Sequence, residues 1–188
     1  MSYALKPYTT LHLVPGDLTT WEGDAIVNAA NRRMLGGGGV DGAIHRAAGP
    51  QLKAACLAVP EVSPGVRCPT GEARLTPAFG RLRVAHIIHT VGPVYRDPTR
   101  SATLLASAYR SSLALAEGHG LRTIAFPAIS CGVYAYPLDE AAEVALTTCR
   151  DVAGGFESVT FVLFDPAALD AWTQAADRLF GEEPLETR

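Results

Sequence analysis

An α/β layered fold on a largely parallel sheet is predicted by two features of the chain. Apolar runs of strand length alternate with helix-forming segments from end to end, and 188 residues suffice for one core. Apolar content of 48% separates the chain from disordered sequences, and a domain of this length buries most of its unfolded surface without disulfides or metal. No repeat, linker or low-complexity stretch divides it, so residues 1–188 are read as one domain.

The elements follow in order. Leu11-His12-Leu13-Val14 alternates and is stopped by Pro15-Gly16, which predicts a first strand. Asp24 to Ala30 is a short apolar run that reads as a buried strand emptying into a loop. A helix is expected from about Asp41 to Ala48, broken by Gly49-Pro50 and resumed with Pro50 in its first turn through Leu52, Ala55 and Cys56. Glu72 to Pro77 and Val84 to Thr90 are the next strands. Ala102 to Glu117 is a helix closed by Gly118 and Gly120. Leu121 to Ala128 is again a buried strand. Pro137 at the first helical position, with Asp139 and Glu140 in the first turn, starts another helix. Ser158 to Phe164 makes a last strand and Ala167 to Phe180 a last helix. Gly181 to Arg188 is polar and is expected to fray.

Charge and cysteine usage exclude several classes. Sixteen basic and 19 acidic residues give a net charge of −3, and beyond Arg32-Arg33 the arginines are scattered, so bulk nucleic acid is not an expected partner. The N-terminus has no apolar signal core and no run reaches membrane-spanning length, so no membrane partner and a cytoplasmic location are expected. Cys56, Cys68, Cys131 and Cys149 lie far apart without a C-x-x-C pair, and neither a metal site nor a disulfide framework is expected.

Two strand-to-helix loops carry the unusual chemistry. The first runs from Asn28 through Asn31 and Gly36-Gly37-Gly38-Gly39 to Val40 and Asp41; the second is Ser130-Cys131-Gly132-Val133-Tyr134, continuing to Tyr136. Four successive glycines cannot form a core element, because each loses much backbone entropy and packs nothing; they let bare backbone approach a ligand. Both loops can present N–H groups to a pyrophosphate, which permits anion binding without a basic patch. Neither is a Walker A loop or a correctly spaced dinucleotide fingerprint.

Five ordered strings between Leu11 and Phe164 make the chain resemble the macrodomain family, within it the MacroD-type branch. They are Gly16-Asp17-Leu18-Thr19, Asn28-Ala29-Ala30-Asn31, Gly36 to His45, Ile88 to Pro93, and Ala128 to Tyr134. The resemblance implies a three-layer α/β/α sandwich on a mixed sheet that binds ADP-ribose. It also implies removal of mono-ADP-ribose from acidic side chains of proteins and deacetylation of O-acetyl-ADP-ribose, with no cofactor and no metal, by a monomer. Two positions depart from the family pattern while staying small: Cys131 replaces the usual Thr, and Ala135 a frequent Gly. Arg32-Arg33-Met34 is bulkier and more basic than the family norm and bears on the choice of substrate. Two other readings stay open: a module that binds ADP-ribose without turnover, and a hydrolase acting on ADP-ribosylated nucleic acid, for which Arg32 and Arg33 are the only hint.

Each site residue also has a structural reading. Asp17 reads as a turn or cap residue, while the resemblance makes it the acceptor for the adenine amino group, beside Leu18. Asn31 reads as a left-handed turn residue or as a hydrogen-bond partner of the distal ribose. Asp41 reads as the helix N-cap or as the group that orients or deprotonates a water; Asn31 and Asp41 are the catalytic candidates. His45, four residues on, shares the Asp41 helix face and is an auxiliary candidate, whereas His89 reads as a satisfied strand histidine. Cys131 beside a helix start reads as a low-pKa nucleophile or, as the resemblance has it, as a small residue offering backbone. Tyr134 is assigned to the distal ribose and Phe164 to adenine stacking, though such aromatics are more often core. Gly37, Gly38, Gly39, Val40, Ser130, Gly132 and Val133 complete the expected ligand contacts.

Overall fold

The computed structural model describes residues 1–181; the tail expected to fray lies, beyond Gly181, outside the described residues. In chain order the elements are β1 (Ser2–Lys6), β2 (Thr9–Pro15), a 3-10 turn (Leu18–Thr20), β3 (Glu22–Ala29), α1 (Gly39–Ala48), α2 (Pro50–Ala58), β4 (Ala73–Pro77), β5 (Arg83–Thr90), α3 (Pro98–Gly118), β6 (Thr123–Phe126), α4 (Leu138–Val152), β7 (Ser158–Leu163) and α5 (Pro166–Phe180). The sheet order is β1-β2-β7-β6-β3-β5-β4. Its five inner strands are parallel, while β1 and β4 run antiparallel at the two edges. This is the expected mixed, largely parallel sheet.

Side-chain alternation along the inner strands builds two cores. Val27, Ile88, Phe126 and Phe161 point to one face, where they meet Leu105 and Tyr109 of α3, Leu146 of α4 and Trp172 of α5. The next residues along the same strands, Ile26, Ile87, Ala125 and Val162, point to the other face and meet Ile44 of α1 and Leu52 and Cys56 of α2. Aromatic stacking fixes the larger core: the Phe126 and Phe161 rings lie 5.6 Å apart and Phe161 lies 5.9 Å from Trp172. The layers are therefore helix, sheet, helix.

Several boundaries differ from the sequence-based ones for local reasons. Strand β1 was not expected; it buries only Tyr3 and Leu5, too short an alternation to stand out. Helix α1 starts at Gly39, with Gly38 as its N-cap, so Asp41 lies in the first turn and is not the cap. Helix α3 starts at Pro98 because the Asp97 carboxylate accepts from the Arg100 N–H at 2.7 Å, a start signal placed before the first apolar position. Pro137 caps α4 instead of opening it. Strand β6 is shorter than its apolar run and gives way to Pro127. No helix among the described residues is long and apolar enough to cross a membrane.

The topology positions the loops. Neighbouring strands β3 and β6 send their following helices to opposite faces, α1 to one core and α4 to the other, and the loops between them diverge. A crevice at the carboxyl ends of parallel strands follows from such a divergence.

Candidate functional site

Along this sheet edge the strand order brings together segments distant in sequence. Gly16-Asp17 leaves β2, Phe164 leaves β7, the Ser130 to Tyr136 loop follows β6, and Asn31 follows β3.

The first loop is shaped by Asn31 and by glycine. Asn31 Oδ1 accepts from the Arg33 N–H at 3.1 Å, and its Nδ2 donates to the Gly36 carbonyl at 3.0 Å, which closes the loop on itself. The left-handed non-glycine residue of this segment is the buried Met34 (φ 59°), not Asn31. A Cβ on Gly42 would lie 2.5 Å from the Gly37 carbonyl oxygen, so only glycine lets α1 lie against the loop. Gly38 supplies no side-chain cap, leaving the first N–H groups of α1 without a capping partner among the described residues. A Cβ on Gly38 or Gly132 would meet nothing within 4 Å, and neither residue has a positive φ. Neither packing nor backbone conformation demands glycine at these two positions.

In the second loop, Ser130 (φ 67°) and Ala135 (φ 54°) turn left-handed. The turn is held by Cys131 N–H to the Ala128 carbonyl at 3.3 Å, Ala135 N–H to Gly132 at 2.9 Å and Tyr136 N–H to Ser130 at 3.0 Å. The N–H groups of Gly132, Val133 and Tyr134 have no acceptor among the described residues. The Val133 side chain is exposed, and Tyr134 is half-buried with its carbonyl bonded to the Tyr95 N–H at 2.9 Å. Burial pushes the Cys131 thiol up to about 12, and its Sγ lies 3.5 Å from the Ile129 carbonyl. Burial thereby favours the small-residue reading of Cys131 over the low-pKa nucleophile, since no nearby cation offsets the desolvation of a thiolate. Its own N–H is spent within the turn, so the donors left to a ligand are those of its three successors.

Asp41 is the buried carboxylate of the site, 4% exposed. Asn28 Nδ2 donates to its Oδ1 at 2.8 Å, and His45 Nε2 lies 3.5 Å from the same oxygen. The other oxygen turns to the glycine loop: a Cβ on Gly37 would lie 3.1 Å from Asp41 Oδ2 and 3.4 Å from Asn31 Nδ2, so both polar groups converge on one glycine. Burial raises the Asp41 pKa above the ordinary carboxylate value, and the Asn28 hydrogen bond and the His45 charge only partly oppose it.

Asn28, the first residue of the Asn28-Ala29-Ala30-Asn31 string, links Asp41 to the sheet. Its Nδ2 lies 3.1 Å from His89 Nδ1, its direct register partner on β5, and His89 Nε2 lies 3.0 Å from Thr76 Oγ1 on β4. An acceptor role for Nδ1 puts the ring proton on Nε2, which donates to Thr76. His89 is a satisfied strand histidine, fully buried. Burial, with a smaller push from the His45 charge, lowers its pKa to about 3. The strand period places Asn28 and His89 on the α1 face beside Ile26 and Ile87, where an apolar residue would be the default; that mismatch was the available sequence signal.

At the far end, Asp17 Oδ1 accepts from the Thr19 N–H at 2.9 Å and hydroxyl at 2.8 Å, capping the 3-10 turn, while Oδ2 stays exposed. Cap and ligand acceptor are compatible roles for its two oxygens. The Leu18 side chain is core, so its backbone is what it can offer. Phe164 is 86% exposed at the end of β7, an aromatic face that the described residues leave uncovered. Among the described residues no three His, Cys, Asp or Glu side chains gather as a metal-binding group.

The protein-family model described as Macro domain matches residues 27–145. A macro domain-containing protein of Xanthomonas campestris pv. campestris is 54% identical over 164 residues, covering 85% of this chain and 91% of that protein. One from Vibrio parahaemolyticus is 53% identical over 165 residues, covering 88% and 96%. Among solved structures, the Oceanobacillus iheyensis macrodomain with ADP superposes with a TM-score of 0.90 at 41% identity, covering 97% of each chain. The Trypanosoma brucei macrodomain in complex with ADP-ribose gives 0.77 at 39% identity, covering 92% of this chain and 71% of that one.

Two stability measurements check this geometry. Ala135→Gly should stabilise the fold by about 1 kcal/mol in denaturant unfolding, because an L-residue is disfavoured in the left-handed region; unchanged or lower stability would contradict the assigned backbone. His89 stays neutral when folded, while the unfolded chain binds a proton below its ordinary 6.5. Its contribution is therefore complete above about pH 6.5 and is lost as pH falls towards 3, by at most about 1.4 kcal/mol per pH unit. Between pH 7 and 5 the wild type should lose stability more steeply than His89→Gln, and parallel curves would contradict a buried neutral imidazole.

Proposed function

The chain belongs to the macro domain family, and from that premise we propose that it is a MacroD-type hydrolase. It binds ADP-ribose in the crevice, releases mono-ADP-ribose from Asp and Glu side chains of proteins and deacetylates O-acetyl-ADP-ribose, acting as a cytoplasmic monomer. The observation that carries this reading is the convergence of Asn31 and the buried Asp41 on Gly37, beside the uncapped start of α1. Binding alone does not require an acid of raised proton affinity at that place.

The ligand is laid out by strand order. Adenine lies against Phe164 and meets Asp17 Oδ2, next to the Leu18 backbone. The pyrophosphate is held between the N–H groups of Gly37 to Val40 and those of Gly132 to Tyr134, in the turn shaped by Ser130 and Cys131. The distal ribose reaches Asn31 and Asp41, flanked by Tyr134. A water attacks the anomeric carbon: its oxygen bonds to that carbon, one proton passes to Asp41 or to a pyrophosphate oxygen, and the C–O bond to the acyl group breaks with release of the carboxylate. A base with a pKa raised toward neutrality removes that proton more effectively, an effect of about two to four orders of magnitude, and positioning supplies much of the rest. His45 sets the charge around Asp41. No metal takes part.

Free ADP-ribose should bind with micromolar affinity, about −8 kcal/mol. Asp41→Asn should slow single-turnover release of ADP-ribose from a glutamate-linked substrate by roughly 100-fold, or about 2.7 kcal/mol, with little change in affinity for free ADP-ribose. Its melting temperature at pH 7 should rise. The folded protein holds the Asp41 proton more tightly than the unfolded chain, so its stability declines as pH climbs through the carboxylate range, and the amide removes that cost. Equal losses of rate and affinity would instead favour a module that binds without turnover.

A further inference from the structure

Next to the glycine loop, the structure holds an open surface groove of about 440 Å³. Gly36 and Gly37 form one wall, and His45 and Arg46 of α1 with Pro50 and Lys53 of α2 form the other. Among the described residues no acidic side chain lines it. Arg46 and Lys53 are exposed and form no ion pair among the described residues. The guanidinium of Arg46 is folded toward the loop: a Cβ on Gly42 would lie 3.1 Å from Arg46 Nη1 and 2.5 Å from the Gly37 carbonyl oxygen.

The groove shares walls with the reacting groups. Gly37 is the residue on which Asn31 and Asp41 converge, Gly36 is bonded to Asn31, and His45 lies 3.5 Å from Asp41. Across the sheet the site runs from β2 and β7 through β6 to β3, that is, from the adenine end to the distal ribose. Whatever is joined to that ribose leaves the site beyond β3, where the chain next builds this groove from the residues after Asn31, α1 and the start of α2.

We propose that this groove is the subsite for the polypeptide carrying the modification and that Arg46 and Lys53 select substrates with acidic residues beside the modified Asp or Glu. The proposal rests on the hydrolase reading and specifies its substrate class. A net charge of −3 gives no general attraction to polyanions, so two unpaired cations at one wall of the site act as local selection. Their exposure makes the preference sensitive to salt.

The test uses two glutamate-linked mono-ADP-ribosyl peptides that differ only in the residues flanking the modified Glu, acidic in one and Gln or Asn in the other. Wild-type protein should show kcat/KM roughly 3- to 10-fold higher for the acidic peptide, fading with added salt. The double variant Arg46→Ala, Lys53→Ala should bring the ratio to about 1, with affinity for free ADP-ribose and the rate on the neutral peptide unchanged. A wild-type ratio near 1, a ratio that survives the double substitution, or a loss of free ADP-ribose affinity in that variant would each overturn the subsite. If neither peptide is hydrolysed, the hydrolase reading fails separately, and the same ratio read in peptide dissociation constants still decides the subsite. Turnover of an ADP-ribosylated oligonucleotide that depends on Arg46 and Lys53, without any peptide preference, would reassign the groove to nucleic acid.

Discussion

The hydrogen bond from Asn28 to Asp41 joins the sheet to α1 at the one place where, among the described residues, a carboxylate is buried without a full counter-charge. Desolvation of a charge is costly, and a single amide with a half-buried histidine 3.5 Å away offsets it only in part. The rest of the site depends on this tie. Asn28 holds one oxygen of Asp41, and the other faces Gly37. Asn28 is in turn held by His89, which is kept neutral by burial and is bonded to Thr76 on the edge strand β4. Three strands therefore fix the angle of one side chain. Asn28 Oδ1 has no partner among the described residues, so the network is not optimised for stability alone.

Around this fixed acid the protein offers mostly backbone. The uncapped α1 and the Gly132 to Tyr134 turn provide N–H donors without a basic side chain, which suits a ligand whose pyrophosphate must be held and then released. Glycine is used in two distinct ways. At Gly42 it allows the helix to touch the loop; at Gly38 and Gly132 it leaves space that no protein atom fills. The strain of the left-handed Ser130 and Ala135 is the local cost of turning that backbone outward.

Much of this was legible from sequence because loops and strands carry strong local signals. Four successive glycines between an apolar run and a helix mark a loop, though its last glycine opens α1, and the alternating elements imply a layered sheet. The order of strands was not legible, because register and neighbours depend on long-range packing of Phe126, Phe161 and Trp172. Strand β1 escaped since two inward residues make no period. Asp41 read as a cap because Asp is a favoured N-cap, but Gly38 and Gly39 began the helix earlier and turned the carboxylate inward. Burial of Cys131 favours the small-residue reading over the low-pKa one: proximity to a helix start is visible in sequence, whereas burial is not. Asn28 and His89 sat on the apolar face of their strands, and recognising them required knowing that β3 and β5 pair in register.

Of the two proton acceptors in the proposed reaction, Asp41 and the pyrophosphate, the account turns on the buried Asp41 carboxylate set by Asn28. The acid limb of the single-turnover rate for release of ADP-ribose tests it most directly, compared between wild type and Asn28→Ala. The account expects the wild-type midpoint above the ordinary carboxylate value of 3.8, and a further upward displacement in the variant, because the lost hydrogen bond favoured the charged form. A limb at the same pH in both proteins, with turnover retained, would contradict it and assign the proton to another acceptor, such as the pyrophosphate.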